Sequence, residues 1–327
     1  MSYLCQMIGR YLLLALIVLF PLNSWAQEAE TFDTNRARLL GHMLQQQLSR
    51  KHYSQKPTDD ALSHVAFDLY LNQLDFQKRF LFQDDVTQLK KYRNEIDDAL
   101  RRGRLDLPLL GRQLLNQRIE QIRDLSATLL KEPFDSTLAE AIETDEEKLT
   151  FVQNDSELRE RWRKIIKFQV LSRYLNLRED DIGSDDDGKL LPVDDAQHEE
   201  LLVKAVEKVE KTNDSLFTRM LEESEQDHYD RYLNAISRAF DPHTGYLPPT
   251  SKEDFDIQMS GSLEGIGATL REDDGYIKVV RIIPGSAASR QGQVEADDTI
   301  LKVAQGTDDP VDITDTRIRD AVALIRG

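Results

Sequence analysis

The stretch Leu263-Glu264-Gly265-Ile266-Gly267-Ala268 holds the residue types best suited to capture a ligand in this sequence of 327 residues. Gly265 and Gly267 flank an apolar residue directly ahead of a strand-like run, so several backbone N–H groups can converge on one point. Such a concavity holds an anion without any basic side chain. If the strand from Ala268 to Glu272 keeps one edge open, an extended peptide pairs with it. The terminal carboxylate then sits in the nest of Gly265, Ile266, Gly267 and Ala268, and the last side chain drops between strand and helix. Leu270 on the strand, with Ile318, Val322 and Ile325 on one face of a terminal helix, are the candidate walls of that groove. On its own the Gly-x-Gly spacing is more often an ordinary tight turn. The order strand, Pro284-Gly285 turn, strand and closing helix favours the nest.

Other chemistry-bearing residues make weaker cases. Glu179 to Asp195 carries Glu179, Asp180, Asp181, Asp185, Asp186, Asp187, Asp194 and Asp195, with Gly183 and Gly188. A calcium loop would need a ligand where Gly183 stands and a bidentate Glu where Asp194 stands, and Pro192 interrupts its exit. The stretch is expected to be a solvated acidic loop, and no metal or cofactor is assigned. His243 neighbours Asp241 in a proline-rich turn, where a histidine more often bonds locally than catalyses. His228 and Asp230 are two apart on an expected helix and point away from each other. His42, His52, His64 and His198 are scattered without ligand spacing. Asn154-Asp155-Ser156 and Asn213-Asp214-Ser215 match a glycosylation acceptor but read as ordinary surface sequence.

The elements that must position the nest fall into two regions. From about Asp33 to Phe240 the apolar period is helical. Leu62, Val65, Ala66 and Leu69 make one stripe. Val86, Leu89, Tyr92, Ile96, Ala99 and Leu100 make another, begun by Asp84 and Asp85 and ended by Gly103. Further helices are expected at 107–131 (stopped by Pro133), around Trp162 to Leu177, at 196–220 and at 226–240. This is an all-α, bundle-like domain. Past Phe240, Asp241-Pro242-His243-Thr244-Gly245-Tyr246-Leu247-Pro248-Pro249 cannot be helix. Strand-like runs follow at 267–271, 276–283 and 299–303, and a helix at 314–326.

Composition bounds the function. Lys plus Arg is 42 against 59 for Asp plus Glu, a net charge of -17. That field repels phosphate backbones and anionic headgroups, so nucleic-acid and peripheral-membrane roles are not expected. Arg10, an apolar run from Tyr11 to Leu22 and the end Asn23-Ser24-Trp25-Ala26 fit a secretory signal peptide cleaved after Ala26, leaving no stable membrane insertion; an uncleaved membrane anchor is the alternative reading. The single cysteine, Cys5, would leave with it, so the mature chain has no disulfide.

The run Leu263 to Leu270, then Val279 to Ser289, Thr299 to Val303 and the closing helix resembles a PDZ domain. Phe240-Asp241-Pro242-His243-Thr244-Gly245-Tyr246-Leu247 is similar to the signature that precedes the PDZ domain in carboxyl-terminal processing proteases. His64 to Asp75, Phe80 to Asp85 and Tyr232 to Phe240 resemble the helical N-terminal domain of the tail-specific branch. The resemblance implies a multidomain chain: signal peptide 1–26, all-α domain 27–240, linker 241–250 and, over 251–327, a small α/β PDZ domain lacking its last strand. It also implies a periplasmic serine endopeptidase that selects unfolded or exported proteins by their apolar C-terminal tails, and that a protein adaptor can join.

In that family a serine and a neutral lysine in a following domain carry the chemistry. The nucleophile motif Gly-Ser-x-Ser-Ala-Ser does not occur in these residues, and Gly285-Ser286-Ala287-Ala288-Ser289 falls in the turn after Ile283. The expectation is therefore a substrate-recognition portion without catalytic residues of its own. A non-catalytic tail-binding fragment and a non-functional truncated product stand as the alternatives. A smaller departure is Asp297-Asp298, where PDZ domains usually carry Gly-Asp. If that position takes a positive φ, the aspartate costs about 1 kcal/mol.

Overall fold

The computed structural model describes residues 32–132, 138–185, 189–248, 252, 265–273, 275–306, 309–314 and 316–326. The expected signal segment, the Pro133 helix stop and the first residues of the expected PDZ region, including Leu263 and Glu264, lie outside the described residues.

The helical region contains α1 (Thr34–Lys51), α2 (Asp60–Leu74), α3 (Gln83–Leu89), α4 (Ile96–Arg102), α5 (Asp106–Leu129), α6 (Asp155–Asp181), α7 (Asp195–Leu221) and α8 (Glu225–Phe240). Local chemistry sets their starts. Asp59, Asn154, Asp194 and Ser224 each accept the backbone N–H three residues on, at 2.8 to 3.1 Å. α2 packs on α8, α6 on α7, and α5 on both α7 and α8. The core is aromatic at two levels. Tyr70 meets Tyr232 edge-on at 5.8 Å, and Trp162 lies between Phe80 and Phe217 at 5.8 and 5.6 Å. An ion pair ties α5 to α3: Arg118 donates to both oxygens of the buried Asp85, at 2.7 and 3.0 Å. Among the described residues no helix is long and apolar enough to cross a membrane.

Two expectations need correction here. The stripe from Val86 to Leu100 is not one helix: α3 ends at Leu89, a 3-10 turn covers Lys90–Tyr92, and α4 starts at Ile96. Arg93 is held by Asp68 at 2.8 Å and Asn94 by His64 at 2.6 Å, so α2 pins the chain where a straight helix would continue. The acidic loop is also shorter than 179–195. Glu179, Asp180 and Asp181 finish α6, Asp194 caps α7, and Asp195 begins it. Asp185 accepts the Lys189 N–H at 2.8 Å. Among the described residues no cluster of three or more His, Cys, Asp or Glu stands where it could hold a metal ion.

The second region is small and mixed. β1 (Ala268–Asp273) and β2 (Tyr276–Ile282) pair antiparallel, followed by a short helix α9 (Ala287–Gln291). The expected strand over 299–303 is two pieces, β3 (Thr299–Ile300) on β2 and β4 (Lys302–Val303) on β5 (Val311–Asp312). Leu301 makes the switch, its carbonyl accepting the Ile313 N–H at 3.0 Å. α10 (Ile318–Arg326) closes the region over a core of Ile277, Ile313 and Ala321.

The expected strain before β3 is present: Asp297 has φ +72° while its N–H donates to Val279 O at 2.7 Å. Replacing Asp297 with glycine is expected to stabilise this region by about 1 kcal/mol, the left-handed penalty removed. Slower hydrogen exchange at the Val279 amide would show it; unchanged exchange would mean the turn relaxes at no cost.

Candidate functional site

The residues picked out before β1 are brought to one end of an open strand. The described three-stranded sheet runs β1-β2-β3, so β1 lies at its edge. Gly265 and Gly267 take φ +135° and +78°, conformations that suit only glycine well. The carbonyls of Ile266 and Gly267 turn inward, accepting the N–H groups of Ala288 and Ile283 at 2.9 Å each. Among the described residues, the N–H groups of Ile266 and Gly267 meet no acceptor. Gly267 has no room for a side chain: an added Cβ would lie 2.0 Å from Ser286 Cβ. Ser286 is placed there as the cap of α9, its Oγ accepting the Ser289 N–H at 3.2 Å, which is a structural task rather than a nucleophile's.

The residues expected as groove walls lie around the small core of this region. Half-buried Leu270, Ile318 and Ile325 all pack on the cluster of Ile277, Ile313 and Ala321. Val322 is half-buried but is not among the side chains packed on that cluster. The β1–β2 register shifts between Thr269 and Leu270, a bulge that twists the strand beside the glycines.

At its far end β1 meets the helical region, which no sequence spacing suggests. Glu272 pairs with Arg219 of α7, and Arg317, just ahead of α10, lies 3.8 Å from Asp227 of α8. Lys278 donates to Asp273 at 2.8 Å and, through that bond, holds its carboxyl below the usual carboxylate range.

The other candidates are occupied elsewhere. Asp241 accepts the Tyr53 O–H at 2.6 Å and the His243 N–H at 2.8 Å, and these bonds lower its pKa, the Tyr53 bond most. His52 bonds Thr244 at 2.9 Å, and Lys56 donates to the Phe240 carbonyl. The turn after α8 is thus clasped by the end of α1 and the segment behind it, partners the sequence reading missed. His228 is buried, with Arg231 beside Nδ1 at 3.1 Å; burial first, then Arg231 and Arg112, push its pKa down to about 3. Asp230 turns instead to Gln226 at 2.6 Å. Asn213 is buried in a reciprocal amide pair with Gln169, at 3.0 and 3.1 Å.

Comparison with known proteins agrees with this layout. Residues 44–250 match the model of the tail specific protease N-terminal domain, and residues 254–327 match that of the PDZ domain. The chain is 30% identical over 282 residues to the tail-specific protease of Haemophilus influenzae, covering 86% of this chain and 37% of that protein. It is 32% identical over 134 residues to the carboxy-terminal processing protease CtpA of Bacillus subtilis, covering 37% of this chain and 28% of that protein. The sequence thus spans about a third of the length of these relatives. A helical domain of the matched type followed by a PDZ region places the chain in the tail-specific protease family.

Proposed function

We propose that these residues are the substrate-recognition portion of an exported serine endopeptidase that selects proteins by an apolar C-terminal tail. The observation that carries this reading is the start of β1: an edge strand preceded by the unengaged N–H groups of Ile266 and Gly267, with Leu270 of the strand and Ile318 and Ile325 of α10 packed on one apolar cluster. An incoming tail adds a strand to β1, main-chain bonds supply affinity and the apolar wall selects the last side chain. The carboxylate is recognised by the N–H groups at Gly265, Ile266, Gly267 and Ala268. In this reading the chain enters the periplasm by its first 26 residues, and its ligands are the tails of unfolded or exported proteins. Hydrolysis is not assigned to any described residue.

Tail choice is the test. A labelled peptide ending in three apolar residues is expected to bind at least tenfold more tightly than one ending in aspartates, read by fluorescence anisotropy with the whole chain. Equal affinities would remove the apolar wall from the account.

A further inference from the structure

A second cleft lies far along the chain from the PDZ region, between α6 and the segment 138–152 that crosses it. Its main cavity is about 820 Å³, within the size range of ligand pockets. A smaller one of about 290 Å³ adjoins it, and Ala141, Ile142, Lys164 and Phe168 line both. The crossing segment is pinned at several points. Lys167 donates to Leu138 O at 2.8 Å and pairs with Glu140 at 2.7 Å, Lys78 donates to Glu146 O at 3.0 Å, and the Gln83 N–H donates to Val152 O at 2.8 Å. The cleft is therefore preformed.

Its lining combines an apolar floor with an under-compensated cation. Phe168 is 63% exposed, a large ring left uncovered on α6. Among the described residues Arg79 has no carboxylate at ion-pair distance. The carboxylate that acts on its charge, Asp75, is already engaged by the N–H groups of Arg79, Phe80 and Leu81 at 2.8 to 3.0 Å. Burial disfavours the Arg79 charge, with Asp75 opposing that only in part. Lys164 reaches Glu160 only at 3.9 Å, while Glu160 is bound at 2.8 Å through both oxygens by Arg163. The other acids of the lining accept from neutral amides and do not pair with Arg79: Glu157 from Gln153 and Asn154, and Glu143 from the Asp145 N–H. A ligand carboxylate is what Arg79 lacks, and a guanidinium binds one in two-pronged fashion.

The length of the cleft selects the ligand class. From Ser156 to Leu171 the lining of the two cavities extends along α6 for about 22 Å at the helical rise. An extended peptide of about seven residues has that length. We propose that this cleft is a peptide-docking site on the helical domain, taking an extended segment whose acidic side chain meets Arg79 and whose apolar neighbours cover Phe168. It is separate from the tail groove and needs no free carboxyl terminus.

The test uses the whole chain and a panel of labelled nine-residue peptides, acetylated and amidated at their ends, with apolar residues around a central glutamate. The blocked ends keep the Gly265–Ala268 nest out of the measurement, so failure here leaves the tail reading standing. At least one peptide is expected to bind, to lose about tenfold when its glutamate becomes glutamine, and to lose as much in Arg79→Gln and Phe168→Ser. Phe168 is exposed, so if Arg79→Gln unfolds by circular dichroism, Phe168→Ser decides alone. No binding across the panel, equal binding of glutamate and glutamine peptides, or binding unaffected by Phe168→Ser would overturn the proposal. So would binding of dodecanoate with Arg79-dependence where no peptide binds, since the site would then serve a free amphiphile.

Discussion

Trp162→Ala is expected to destabilise the helical domain by about 3–5 kcal/mol, the range for emptying a buried aromatic site. Trp162 is 1% exposed and touches Phe80 and Phe217 from either side. Its indole N–H donates to Arg79 O at 2.8 Å, tying α6 to the segment entering α3. The indole thus joins elements from both halves of the domain, and neighbouring helices cannot close the space without breaking their own contacts. Urea unfolding followed by circular dichroism measures the loss. A change under about 1 kcal/mol would mean the core collapses onto the vacancy, contrary to the packing described.

The second large effect is at Gly267. A methyl group there meets Ser286 Cβ at 2.0 Å, a distance no packed pair tolerates, and the backbone at φ +78° resists any side chain. The backbone alone costs about 1–2 kcal/mol, and overpacking adds about 1–3 kcal/mol. Gly267→Ala is therefore expected to remove tail-peptide binding and to loosen β1 and β2, seen as faster amide exchange. Adding Ser286→Gly relieves the steric part and is expected to return stability in part, while the φ penalty persists. If Gly267→Ala alone leaves both binding and exchange unchanged, the nest is not built as described.

Much of this architecture is legible from residue order, for identifiable reasons. Helices with a long 3.6-residue stripe and a polar cap announce themselves, and Asp194 and Ser224 fix the starts of α7 and α8 to within a residue or two of expectation. The interruption between Leu89 and Ile96 stays hidden because the apolar stripe runs through it, and its cause lies in α2, at Asp68 and His64. Likewise the division of 299–303 into two strands depends on Ile313, whose position only the folded chain defines. Short-range backbone rules account for the left-handed conformations of the two glycines before β1 and of Asp297 in its turn. The Arg219–Glu272 pair, the clasp of Tyr53 on Asp241 and the cleft beside α6 join residues far apart in sequence, beyond the reach of any local pattern.

The central claim is that backbone N–H groups at the start of β1 hold a terminal carboxylate. The most direct measurement compares one apolar tail peptide as the free acid and as the amide, titrated against the whole chain by fluorescence anisotropy. A hydrogen bond to a charged group contributes about 1.5–3 kcal/mol, so amidation is expected to weaken binding by about tenfold to a hundredfold. Equal binding of acid and amide would contradict the account and leave Gly265–Ala268 as an ordinary tight turn.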